Sequence, residues 1–185
     1  MKKQYDLLKI CCNLLIIISL ITICTLFLPF ASAKDEYIKY LNNNPTEMYS
    51  NEINMKNSEA VNISLCKFGK MFYKSIGIST DSDMKGIAIT RLAMIIIFSI
   101  ILILMLFLIT KRKPIATIIF SILLFGVFRL FVWDLKATGA LPNTRYGYGV
   151  AYYMYYVLEA IIILLSICVL VGKRKNKEVA YENKN

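Results

Sequence analysis

Two ionisable side chains, Arg129 and Glu159, interrupt the apolar runs of this chain and are the residues best placed to do chemistry. Arg129 lies near the loop end of the third run and Glu159 near the middle of the fourth. At 1.5 Å per residue their backbones differ in depth by roughly 9 Å, a gap that two long side chains nearly close. A charge at such depth in hydrocarbon is costly, so it faces protein or water and often pairs. The two residues are therefore a candidate intramembrane polar site. Glu159 is open to four arrangements: buried in its protonated form, paired with Arg129, hydrogen-bonded to a tyrosine, or part of a proton or ligand path. For Glu159 a structural role is the preferred one. Arg129 can equally snorkel to the headgroups.

The second group is the opening of the fourth run, Arg145-Tyr146-Gly147-Tyr148-Gly149-Val150-Ala151-Tyr152-Tyr153-Met154-Tyr155-Tyr156. Tyrosine is apolar in its ring and polar at its tip, so the first members suit an interfacial aromatic belt together with Trp133. Tyr152, Tyr153, Tyr155 and Tyr156 run deeper, and their spacing of three and four makes an aromatic face whose hydroxyls need partners. Gly147 and Gly149 would let the helix approach a neighbour closely. Their two-residue spacing is neither the GxxxG dimer motif nor a phosphate-binding loop. Tyr146, Gly147, Tyr148, Gly149, Tyr152 and Tyr156 form a candidate packing or recognition surface, with packing preferred over ligand binding.

Little else in the chain suggests catalysis. The sequence has no histidine, which removes the commonest base and metal ligand, and no CxxC pair. Cys11, Cys12, Cys24 and Cys168 lie in or beside apolar runs, and Cys66 stands alone in the long segment between the first two runs. Cys11 and Cys12 sit where palmitoylation occurs in some cells, but ordinary small apolar residues is the simpler account. No catalytic residue, metal site or cofactor is expected, and the chain is read as a non-enzyme. Asn62-Ile63-Ser64 matches a glycosylation acceptor. The richness in Asn, Lys and Ile points to an AT-rich bacterial genome, where that triplet carries no meaning.

The elements that must position these residues are four apolar runs, near 10–30, 92–109, 114–133 and 149–171. Each meets or approaches the roughly 20 apolar residues that cross a hydrocarbon core about 30 Å thick. With 57% hydrophobic and 18% charged residues and a mean hydropathy of +0.57, the composition departs from soluble domains toward lipid. The expected fold is an all-α membrane protein, a four-helix transmembrane bundle with a small extracellular subdomain between spans 1 and 2. Its segments are a cytoplasmic N-terminus 1–9, TM1 10–33, an extracellular loop 34–86, TM2 87–110, a cytoplasmic turn 111–113, TM3 114–133, an extracellular loop 134–148, TM4 149–172 and a basic cytoplasmic tail 173–185.

The net charge of +10 fits this topology better than it fits a nucleic-acid partner. Residues 1–9, 111–113 and 173–185 carry net charges of +2, +3 and +3, through Lys2, Lys3 and Lys9, through Lys111, Arg112 and Lys113, and through Lys173, Arg174, Lys175, Lys177 and Lys184 less the acids beside them. Residues 34–86 balance seven lysines against seven acids. The positive-inside rule then predicts a multi-pass cell-membrane protein with both termini cytoplasmic. The basic clusters also attract anionic headgroups. One alternative concerns the first run: Ala31-Ser32-Ala33 before Lys34 has the small-residue pattern of a signal-peptide cleavage site, and cleavage there would leave three spans. The 21 residues from Ile10 to Phe30 exceed a usual signal core of about 7–15, which favours an uncleaved span.

In the long segment, Asn42-Asn43-Asn44-Pro45 reads as a turn or a helix start, with Asn44 as the N-cap and Pro45 at the first helical position in the second case. Val61, Ile63 and Leu65 alternate as in a short strand, and Leu65, Phe68, Met71 and Phe72 follow helical spacing. About fifty residues without a disulfide make a marginal free-standing unit, so this one is expected to pack on the spans or on a partner.

Leu28-Pro29-Phe30 at the end of the first run, the long second segment, the tight Lys111–Pro114 turn and the Tyr146-Gly147-Tyr148-Gly149 opening give a layout that resembles a broad group of small bacterial four-span membrane proteins of unassigned function. That resemblance implies no activity. Claudins share the layout, but their paired loop cysteines and tryptophan signature are absent here, and tetraspanins place the large loop between spans three and four. The functional expectation is an accessory, immunity or interaction protein whose partners are the lipid bilayer and another membrane or extracellular protein. A small transporter, channel subunit or sensor using Glu159 and Arg129 is the alternative.

Overall fold

The computed structural model describes residues 2–51 and 53–182, with side chains for 8–51 and 53–174. The flanking charges Lys2, Lys3, Asp6, Lys175, Lys177, Glu178, Glu182 and Lys184 lie outside the described side chains. The chain is 75% helical. Helix α1 (Lys2–Cys24) runs into a single 3-10 turn, Thr25–Phe27. The Thr22 and Thr25 hydroxyls donate to the Ile18 and Thr22 carbonyls there, so polar groups at this helix end are satisfied locally.

Beyond that turn the backbone becomes extended as β1 (Pro29–Ala33). The sequence predicts TM1 over 10–33, but the stretch apolar and helical enough to span is Leu8–Phe27, and residues 29–33 form a strand. Pro29 offers no N–H and pushes the residue before it to extended backbone. Leu28 has φ −78° and ψ 158°.

The segment that follows is built from short elements: α2 (Asp35–Asn43), β2 (Met48–Ser50), β3 (Met55–Lys56), α3 (Asn57–Ala60), β4 (Asn62–Ser64) and α4 (Leu65–Ile78). Of the two readings of Asn42–Pro45 the turn is the one found, since Asn44 ends α2 and a turn follows before β2. Pro45 disfavours helical backbone on its predecessor, so the pair works as a stop signal. The expected strand and helix around residues 61–72 are present as β4 and α4, with Ser64 Oγ accepting from Lys67 N at 3.2 Å as the α4 cap.

The other three long helices are α5 (Ser82–Thr110), capped by Asp81, α6 (Pro114–Ala137), with proline at its start, and α7 (Val150–Glu182), preceded by β5 (Tyr146–Tyr148). Together with Leu8–Phe27 these are four helices long and apolar enough to cross a membrane. Helix α1 packs on α5 and α7, α5 on α6, and α6 on α7. Their outward faces stay apolar, as at Ile103, Ile119 and Leu164, each about 60% exposed. Water would disfavour such faces, and a bilayer removes that cost.

At one end of these helices β1 is the centre of a three-stranded antiparallel sheet in the order β4-β1-β5. Ser32 is opposite Asn62 on one side and Gly147 on the other. Phe30, 0% exposed, is the aromatic hub beneath it, with Phe68, Phe128, Phe131, Tyr148 and Tyr152 rings 5.8 to 6.3 Å from its own. Gly149 N donates to the Phe30 carbonyl at 2.7 Å. A Cβ on Gly149 would collide with the Pro29 carbonyl, so this position tolerates only glycine at the observed spacing. Gly149→Ala is expected to lower thermal stability in detergent, by an amount in the overpacking range of about 1–3 kcal/mol, while Gly147→Ala, which meets open space, leaves the melting temperature within a degree or two of wild type.

Candidate functional site

The helices place Arg129 and Glu159 on different surfaces, and they do not pair. Arg129 is exposed on α6 and its Nη1 donates to the Tyr156 hydroxyl at 3.2 Å. Tyr156 lies on α7 and packs edge-on against Phe125 and Phe128 of α6. The guanidinium is thus held by a phenol on the outer face of the α6–α7 contact. Glu159, by contrast, is 1% exposed and turned inward. Neither of its carboxyl oxygens has a hydrogen-bond partner among the described residues.

Around Glu159 the interior is closely packed. Tyr155, one turn earlier on α7, is 1% exposed and its hydroxyl is also without a partner. Ser121 of α6 is within reach of the carboxyl, but its hydroxyl turns to the Met105 sulfur of α5 at 3.3 Å. Other buried hydroxyls are satisfied within their own helices: Ser19 by the Leu15 carbonyl and Thr117 by the Lys113 carbonyl. Glu159, Tyr155 and Ser166, whose hydroxyl is likewise unpartnered, stand out against that background. An unpaired buried polar group costs about 1–3 kcal/mol, and an ionised one more, so each of these groups is an energetic liability in the folded protein. Among the described residues no three His, Cys, Asp or Glu side chains are grouped to hold a metal ion.

The tyrosine-rich segment is divided between the sheet and the helix. Tyr146, in β5, is buried and donates to the Ala60 carbonyl at 2.8 Å, and Tyr148 donates to the Leu141 carbonyl at 3.3 Å. Tyr148 and Tyr152 stack with their rings 4.0 Å apart, and Tyr152 meets Tyr156 edge-on at 5.1 Å. Tyr153 faces outward. Gly149 allows the close approach to a neighbour, which is the β1 backbone at the start of α7, whereas Gly147 lies in β5 with open space around it. The hydroxyls of Tyr146, Tyr148 and Tyr156 all have partners, and Tyr155 alone of the buried ones lacks one.

Sequence reasoning missed one charged group of the spans. Arg91 Nε donates to Asp134 Oδ2 at 2.6 Å, and its Nη2 donates to the Thr138 hydroxyl at 2.7 Å, joining α5 to α6 beside the sheet. The guanidinium also stands 5.7 Å from the Phe72 ring of α4. This is the one ion pair among the described residues. Its signal was present as two opposite charges at the loop ends of successive runs, but Arg91 falls just before the second run and Asp134 just after the third.

A separate cleft of about 100 Å³ opens on the β2–α4 segment, lined by Ile53, Met55, Glu59, Lys67, Lys70, Met71 and Lys74. Lys67 is tied to the Glu59 and Asn62 carbonyls, and Lys74 to the Ile53 carbonyl, so two of its three ammonium groups also fix the walls. No protein-family model matches the chain, and neither a curated protein nor a solved structure does.

Burial, followed by the neighbouring Tyr49, holds the Tyr146 phenol well above its ordinary value. A group raised by folding contributes its stability fully below the unfolded value of about 10, and loses it as pH rises through the folded value. Thermal melts at increasing pH should therefore show wild type losing stability above about pH 10 more steeply than Tyr146→Phe. At neutral pH the same substitution is expected to cost on the order of 1 kcal/mol, by removing the donor to the Ala60 carbonyl.

Proposed function

We propose that the chain is a non-enzymatic, four-span protein of the cell membrane, a helix bundle with both termini in the cytoplasm and residues 34–86 outside. In this role it acts as an accessory, immunity or interaction protein that recognises another membrane or extracellular protein through the outer segment and the adjoining tyrosine-rich end of the fourth span. The observation that carries the reading is the way this segment is fastened. It is sewn to the spans by β4 in the sheet, by the Tyr146 hydrogen bond to Ala60, by α4 packed on α5, and by Lys34 Nζ donating to the Asn143 carbonyl at 2.5 Å. A loop that only joined two helices would need none of these contacts. Fixing a small unit rigidly to the membrane surface lowers the ordering cost of binding a partner.

The outer face of this unit offers the basic cleft beside Lys70 and the exposed ring of Tyr73, which is 71% exposed. Aromatic and cationic residues in such a setting suit an interface. Lys70→Glu with Tyr73→Ala is expected to reproduce the cellular phenotype of deleting the gene while membrane level and melting temperature stay at wild type. Intact function in that variant would refute recognition through this face.

The unpartnered Glu159 carboxyl favours a second reading, a small transporter, channel subunit or sensor with an intramembrane polar site. Here Arg129 no longer joins the site, since it is bonded to Tyr156 on the outer face. Under the recognition reading, Glu159→Gln keeps cellular function and, by removing a buried acid, changes stability by no more than about 1–3 kcal/mol. Loss of function at unchanged expression and stability would instead establish the polar-site reading.

A further inference from the structure

At the end of the spans opposite the sheet, an open groove of about 610 Å³ runs between the start of α6 and residues 170–174 of α7. Its rim is cationic, with Lys113, Lys173 and Arg174, and its floor is apolar, with Ile115, Ile119 and Leu170. Among the described residues no acidic one lines it. Lys173 donates to the Arg112 carbonyl across the turn, which fixes one ammonium group at the rim. Ile115 and Ile119 are 57% and 58% exposed, an orientation that water would oppose and lipid would cover. The rim also lies at the right level: Lys113 directly precedes α6, and Arg174 closes the apolar stretch Val150–Arg174.

We propose that this groove binds one anionic phospholipid, its phosphate held by Lys113, Lys173 and Arg174 and the first methylenes of an acyl chain lying on Ile115, Ile119 and Leu170. A soluble anion would use the rim and leave the floor uncovered, whereas an uncharged lipid would use the floor and leave the rim unmatched. A zwitterionic headgroup brings its own cation against three others. A headgroup of net negative charge with a chain attached satisfies both surfaces, and basic pockets between spans are suited to such headgroups.

The test uses the full chain in detergent, with native mass spectrometry against phosphatidylglycerol and phosphatidylcholine of the same chains. Wild type is expected to retain one phosphatidylglycerol per chain at least tenfold better than phosphatidylcholine. Lys113→Gln with Arg174→Gln is expected to lose that preference at about five-fold per cation removed. Lys113→Arg with Arg174→Lys keeps it, and Lys136→Gln near the sheet leaves it unchanged. The charge-preserving pair and Lys136→Gln keep the proposal testable even if the neutral pair fails to fold, since a preference lost in either one contradicts it. Equal retention of the two lipids overturns the proposal, as does undiminished phosphatidylglycerol binding in a folded neutral pair. Displacement of the lipid by glycerol phosphate at equal concentration would also overturn it in favour of a soluble-anion site.

Discussion

Everything at the sheet end of this protein depends on the pairing of Pro29–Ala33 along both edges. An extended strand carries a row of backbone donors and acceptors, and at the border of an apolar region these groups need partners within the protein. β4 supplies one set and β5 the other. The side chains of β1 follow from that position: Ala31 and Ala33 are small and buried, and Phe30 fills the space beneath the sheet, among the rings of α4, α6 and α7. Gly149 follows in turn, because α7 begins against the Pro29 backbone and leaves no room for a side chain. One strand therefore sets where the first helix stops, where the last begins and where the connecting segment docks.

The two ends of the helices are held by different physics. At the sheet end the contacts are specific and directional, with paired strands, a buried phenol bonded to Ala60 and the Arg91–Asp134–Thr138 cluster. Near Glu159 the contacts are non-directional packing that leaves a carboxyl and a phenol without partners. Packed interiors seldom keep such groups without a return. At the turn end the chemistry is mostly charge, in the basic residues around Lys111–Lys113 and Lys173. Specific pairing, an unmet polar group and a cationic rim thus occupy successive levels along the same helices.

How much of this was legible in the sequence follows from how local each interaction is. The long helices were readable because their outward faces are apolar as well as their inward ones, so hydropathy alone marks them. Of the sheet only β4 was, through the alternation of Val61, Ile63 and Leu65; β1, β5 and the pairing were not, since the strands are three to five residues long and their partners are far apart in sequence. Ala31-Ser32-Ala33 looked like a processing site because small residues suit both a peptidase and a crowded central strand. In the candidate site, the depth of Glu159 was readable, and so was the need of the tyrosine hydroxyls for partners. Which partners they take was not: the choice of Tyr156 over Glu159 by Arg129 depends on helix rotation, which an apolar sequence hardly specifies. Arg91 and Asp134 escaped notice for a simpler reason, each lying one residue outside an apolar run.

The register of the sheet also has a bearing on how the protein is made. β1 finds its β4 partner about thirty residues later, at Asn62 opposite Ser32, but its β5 partner, Gly147, only after two further apolar helices have been synthesised. During translation one edge of β1 therefore stands open until nearly the whole chain has emerged, and an open edge invites pairing with other chains. Closure by β5 is therefore late: a chain truncated before residue 146 keeps α1, α5 and α6, loses α7, and leaves one edge of β1 without its partner.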